Sequence, residues 1–177
     1  TVGRPKSIAL MRAVESGDGL LGAVLQIDSA VENPQPKDMH KIGTSARILK
    51  ILEMPNGNLT VILNGLEKIE VGEYTATQPF FRATVTPIKD SAPDPNSAEF
   101  TAIVDSIKEV ALHIINISPA MPKEAAFAIK NLDSNRAIIN FICSNMELTD
   151  DDRQQLLEAP GLMARACRLL EILVKEQ

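Results

Sequence analysis

The apolar residues of this chain change their period near residue 90, and that change limits the fold more than any other feature. Before it they come in short runs or in alternation, divided by Gly, Asn and Pro. After it they recur every three to four residues. A period of two lines one face of a strand, and a period of about 3.6 lines one face of a helix. The stretch 90–96 holds two prolines among small polar residues and reads as a linker. The sequence therefore predicts an α+β chain: a sheet-bearing part with one helix over 1–89, a linker over 90–96, and an all-helical bundle over 97–177.

The first part opens with that helix. Pro5 suits its first position and Gly17 the residue past its end, with Leu10, Met11 and Val14 on one face and Ser7 a turn earlier. A buried strand is expected over 21–27, then a loop over 32–41. The apolar run 46–52, punctuated by Arg47 and Lys50, pairs in this reading with a return strand over 59–63. Between them Pro55-Asn56-Gly57 predicts a tight turn, because Asn-Gly readily takes positive φ angles. Asn64-Gly65 marks a second turn or a bulge. Alternation over 66–71 and 80–88 adds strands; in the latter Phe81, Ala83 and Val85 oppose Arg82, Thr84 and Thr86. Short strands with regular turns predict a small barrel or curled sheet.

In the second part Asp94 is expected to cap a helix whose first residue is Pro95. Phe100, Ile103, Val104, Ile107, Ala111, Ile114 and Ile115 form its stripe, and Ser118-Pro119 ends it. Further helices are expected over 123–130, 134–146, 150–158 and 162–176. Ala137, Ile138, Phe141 and Ile142 face inward from the second of these. Thr149 opens a capping pattern completed by Asp152. Leu162, Ala166, Leu169, Leu170 and Leu173 stripe the last helix.

With five Phe, one Tyr and no Trp, the core has to be aliphatic. The net charge of −5, with signs mixed along the chain, argues against nucleic-acid and membrane partners. No apolar run approaches the ~20 residues of a membrane span, and no secretory signal is visible, so a cytoplasmic location is expected. Cys143 and Cys167 read as free thiols. No catalytic, cofactor-binding or metal-ligating set is expected. The chain has no Gly-x-x-x-x-Gly-Lys-Ser/Thr phosphate loop and no Gly-x-Ser-x-Gly elbow. His40 and His113 are isolated, and Asp150, Asp151 and Asp152 suit the positive end of a helix dipole better than a metal.

Three segments closely resemble the N-terminal domain of the ATP-dependent Lon protease: Ile42-Gly43-Thr44-Ser45-Ala46-Arg47-Ile48-Leu49, Met54-Pro55-Asn56-Gly57-Asn58-Leu59, and Val61 to Ile69 with Asn64-Gly65 inside it. Val2-Gly3-Arg4 with Lys6-Ser7 is similar to the family's segment before its first helix. Pro122-Lys123-Glu124, Leu156-Leu157-Glu158 and Leu169-Leu170-Glu171-Ile172-Leu173 resemble its helical half. Lys68 stands where the family usually has Arg, and the fourth helix carries Ala137-Ile138-Ile139-Asn140 in place of Leu-Ala-Asp.

The resemblance implies a PUA-like β-barrel followed by a helical bundle. It implies a non-catalytic domain that engages unfolded, damaged or tagged protein substrates and helps organise a hexamer of its own subunits. The parent would be an ATP-dependent Ser-Lys endopeptidase using ATP and Mg, with those modules elsewhere and this chain a fragment of it. Arg4, Lys6 and Arg12 are the candidate partner-contact residues, as a basic rim on the first helix. A free-standing adaptor or scaffold of the same domain type is the alternative; RNA binding and an unrecognised small enzyme compete less well. Family members usually begin with a strand before Val-Gly-Arg that this sequence lacks. That predicts an open sheet edge and self-association through it, which sedimentation of a monomer at high concentration would contradict.

Overall fold

Pro5 sets the start of helix α1 (Pro5–Ser16), since its missing N–H is one the first turn leaves unbonded anyway. Gly17 closes it by donating to the Val14 carbonyl. The computed structural model describes residues 1–94 and 96–176. They fall into two units, Thr1–Lys89 and Asp90–Gln177.

In the first unit four strands form one antiparallel sheet in the order β1-β2-β3-β4: β1 (Leu20–Ala23), β2 (Ile42–Glu53), β3 (Leu59–Ala76) and β4 (Arg82–Ile88). The strand expected over 21–27 stops at Ala23. Beyond it the backbone leaves β2 and bonds to a loop instead: Ile27 N–H donates to the Asp38 carbonyl at 2.7 Å and His40 N–H to that of Leu25 at 2.9 Å. The strand expected over 80–88 begins only at Arg82. Asn64-Gly65 resolves as a bulge, because Ser45 faces Glu67 while Ala46 faces Gly65, leaving Leu66 without a partner on β2. β3 therefore runs on for 18 residues.

The hairpin turn differs from the expected one. Gly57 alone takes a positive φ, of 84°, and Asn56 does not. Pro55 fixes a negative φ at the first turn position, so a longer loop forms with Gly at its left-handed place. Gly57 N–H donates to the Met54 carbonyl at 3.0 Å, and Met54 N–H to that of Asn58 at 2.8 Å.

The second unit holds α2 (Ala98–Ile117), α3 (Glu124–Asn131), α4 (Asn135–Asn145), α5 (Asp150–Glu158) and α6 (Leu162–Lys175). The expected cap at Asp94 is replaced by Ser97, whose hydroxyl accepts from Phe100 N–H; Asp94 instead accepts from Asn96 N–H at 2.9 Å. Pro95 lies outside the described residues. Ser134 and Thr149 cap α4 and α5 in the same way as Ser97 caps α2.

Phe100, Ile107, Ile115, Ile139, Leu169 and Leu173 are among the side chains of a continuous core in this unit. Arg165 lies inside that core on α6, only 6% exposed. Its Nη2 meets Asp90 Oδ2 at 2.7 Å, Nε donates to the Leu156 carbonyl at 3.0 Å, and Nη1 donates to Asn140 Oδ1 at 3.3 Å. The Leu156 carbonyl is one of the last four of α5, which have no partner within that helix. Asp90 also lies 3.7 Å from Arg136. The neighbouring Ser91 carbonyl accepts from Leu162 N–H at 2.8 Å, satisfying a donor in the first turn of α6. Residues expected to be linker are thus bonded to α6. Gly161 allows this approach: its φ is 153°, and a Cβ there would collide with Ser91 Oγ.

Truncating a buried, hydrogen-bonded charge leaves its partner uncompensated. Arg165→Ala is expected to destabilise the helical unit by about 3 kcal/mol, read from urea denaturation followed by circular dichroism. Gly161→Ala is expected to cost about 1–3 kcal/mol through backbone strain alone, with faster proteolytic cleavage near Ser91 as its local signature.

Candidate functional site

The two units bury apolar side chains unequally. Met11, Ala46, Leu59, Ile69 and Phe80 are the buried hydrophobic residues described in the first unit, against seventeen in the second. Leu20, Leu63 and Val85 remain exposed in the first unit. Leu63 and Val85 line a groove of about 630 Å³.

The sheet's curl makes that groove. Among the described residues β1 pairs only with β2, and β4 only with β3. Leu21 and Ala23 of β1 and Ala83 and Val85 of β4, the two outer strands, line the same cavity. Leu63, Ile69 and Val71 of β3 and Leu10 and Met11 of α1 complete its apolar lining.

Aromatic and basic side chains gather at the lining. Tyr74 and Phe81 meet edge to face, with ring centroids 5.8 Å apart. Burial pushes the Tyr74 hydroxyl above the usual tyrosine range. Lys6 Nζ stands 4.6 Å from the Phe81 ring centroid and Arg82 Cζ 5.1 Å from that of Phe80. Arg4 Nη2 donates to Gln26 Oε1 at 3.3 Å. Among the described residues no carboxylate pairs with Arg4, Lys6 or Arg82, although Glu32 also lines the groove.

The structure thus brings Arg4 and Lys6 to one site and places Arg12 elsewhere. Arg12 lies 3.4 Å from Glu15 and 3.6 Å from Glu53, away from the lining. Sequence reading missed Arg82, Tyr74 and the two adjacent phenylalanines as site residues. Half of the chain's aromatic residues fall within 74–81, and that clustering was the available signal. Among the described residues no group of three or more His, Cys, Asp or Glu side chains could hold a metal ion. Asp150, Asp151 and Asp152 occupy the first turn of α5, where Asp152 N–H donates to Thr149 Oγ1 at 3.1 Å. No helix among the described residues is long and apolar enough to cross a membrane.

A largely apolar groove with cations at its lining is a geometry suited to binding. The chain matches, over residues 1–175, the family model described as the ATP-dependent protease La (LON) substrate-binding domain. It is 46% identical over 170 residues to the Lon protease of Flavobacterium johnsoniae, covering 96% of this chain and 21% of that protein. Against the Lon protease of Cytophaga hutchinsonii it is 36% identical over 176 residues, covering 99% and 22%. The fold is similar to the N-terminal domain of a Mycobacterium avium complex Lon protease, with a TM-score of 0.79 at 17% identity, covering 100% of this chain and 89% of that one. A Lon N-terminal domain protein from Xanthomonas campestris gives a TM-score of 0.63 at 16% identity. The chain belongs to the Lon substrate-binding domain family, and it spans about one-fifth of the length of the curated relatives it matches.

The two thiols should respond differently to alkylation. Burial pushes the Cys143 thiol up to about 11, outweighing the nearby Arg165 charge, which pulls it down. Cys143 is therefore protonated and shielded below that pH, whereas Cys167 is exposed. Iodoacetamide at neutral pH followed by peptide mass spectrometry should label Cys167 first, with Cys143 reacting at a comparable rate only after unfolding.

Proposed function

We propose that this chain is the client-engaging domain of a Lon-type protease, holding non-native protein chains while ATP- and Mg-dependent unfolding and Ser-Lys proteolysis take place in other parts of a longer cytoplasmic polypeptide. The observation that carries this reading is the substrate-binding family match over 1–175, on a chain whose sheet unit carries a largely apolar groove. Exposed apolar surface is what a non-native chain presents, and it is what such a groove accepts. A single groove of this kind binds weakly. Six copies in a ring would raise the effective affinity through simultaneous contacts, which makes assistance to hexamer organisation part of the proposal. The span of one-fifth of the relatives favours a domain of a larger protein over a free-standing adaptor.

Two measurements test this. The mass of the native gene product should be several times 19.2 kDa; a mass near that value defeats the protease reading. The chain should bind reduced, carboxymethylated lactalbumin and ignore the same protein in its native form, as read by fluorescence anisotropy. Equal binding of both forms, or of neither, counts against client engagement.

A further inference from the structure

We infer that residues 90–94 are a strap latched onto the helical unit by Asp90, and that this latch sets how much chain is free to move between the two units.

Both ends of the strap are fastened within the helical unit. At its start Asp90 Oδ2 meets Arg165 Nη2 at 2.7 Å and Arg136 Nη1 at 3.7 Å. Beside it the Ser91 carbonyl accepts from Leu162 N–H at 2.8 Å, and the Ser91 hydroxyl donates to the Pro160 carbonyl at 3.5 Å. At its far end the Asp94 carbonyl accepts from Ser97 N–H at 2.9 Å, and Ser97 is the cap of α2. A connection without such fastenings behaves as a spacer between the parts it joins. Released, these five residues would span up to roughly 17 Å.

The charge of Arg165 holds the latch shut. Arg165 is buried, and Asp90 is the one carboxylate paired with it among the described residues. Its other two partners, Asn140 Oδ1 and the Leu156 carbonyl, are neutral. If the strap lifts away, a guanidinium inside the core loses its counter-ion, which costs far more than losing an exposed ion pair. Packing of the helical core and docking of the strap are therefore coupled. Asn140 offers a way to separate them. A carboxylate at that position would neutralise Arg165 from α4, and the strap would no longer be needed for it.

The test compares the 177-residue chain with Asp90→Ala and with the pair Asp90→Ala and Asn140→Asp. Asp90→Ala alone is expected to lower the urea midpoint of the helical unit. The pair should restore the midpoint, because the counter-charge moves to α4, and still leave the strap free. In the pair the Leu162 amide, which bonds to Ser91, should exchange with solvent about tenfold faster, the worth of one hydrogen bond. The amide at position 165, bonded to the Gly161 carbonyl, should keep its rate. Nitrogen-15 relaxation should then show shorter tumbling times for both units. Arg165→Met with Asp90→Ala removes the charge altogether; it is expected to behave like the pair and serves if the pair does not fold. An unchanged midpoint in Asp90→Ala overturns the inference. So does a Leu162 amide that stays protected in the folded double variants, and so do tumbling times that release of the strap does not alter.

Discussion

An antiparallel sheet whose two edge strands border one cavity has to be closed by something or keep a gap, and much of the sheet unit follows from that constraint. Among the described residues, four strands and a twelve-residue helix border a cavity of about 630 Å³. The residues that do close over one another are Met11, Ala46, Leu59, Ile69 and Phe80. Around them Leu63, Val71 and Val85 line space instead of meeting neighbours. The scarcity of aromatic residues sharpens the effect, because Tyr74, Phe80 and Phe81 all line the cavity and only Phe80 among them is buried.

The helical unit meets the opposite condition. Its helices carry wide apolar stripes, and a buried guanidinium ties together what the stripes leave polar. Arg165 binds the end of α5 through Leu156, α4 through Asn140, and the incoming chain through Asp90. Such a hub contributes little net stability over a well-packed apolar residue, but it specifies which segments meet. The helical unit buries a continuous core, and the sheet unit leaves apolar side chains lining a cavity.

The two-unit α+β plan was legible because period is a local property: each stripe residue announces its face whatever it packs against. Thr149 and Ser134 were legible as caps for the same reason. Several features were not, because they depend on distant partners. The strand at 21–27 was cut short by backbone bonds to Asp38 and His40, which no pattern within that segment could show. Arg165 looked like an ordinary polar residue between stripe positions until Asp90, 75 residues away, supplied its partner. Arg4 and Lys6 were picked from the first helix, but Arg82 joins them only through the curl of the sheet. Arg12, the residue after groove-lining Met11 on α1, turns to Glu15 and Glu53 instead.

Whole-chain charge hid a further asymmetry. The residues 1–89 carry ten basic and nine acidic side chains, and 90–177 carry eight and fourteen. The value of −5 therefore describes the helical unit, while the sheet unit is close to neutral with its cations concentrated at one lining. Acidity alone is then a weak reason to set aside an anionic partner for the groove. The aromatic faces give a stronger one. A single-stranded nucleic acid binds such folds by stacking bases on exposed rings beside a run of phosphate contacts. Here Lys6 already covers Phe81, Arg82 covers Phe80, and Tyr74 packs its ring against Phe81. Engaged in this way within the fold, these rings do not stand free as a stacking platform.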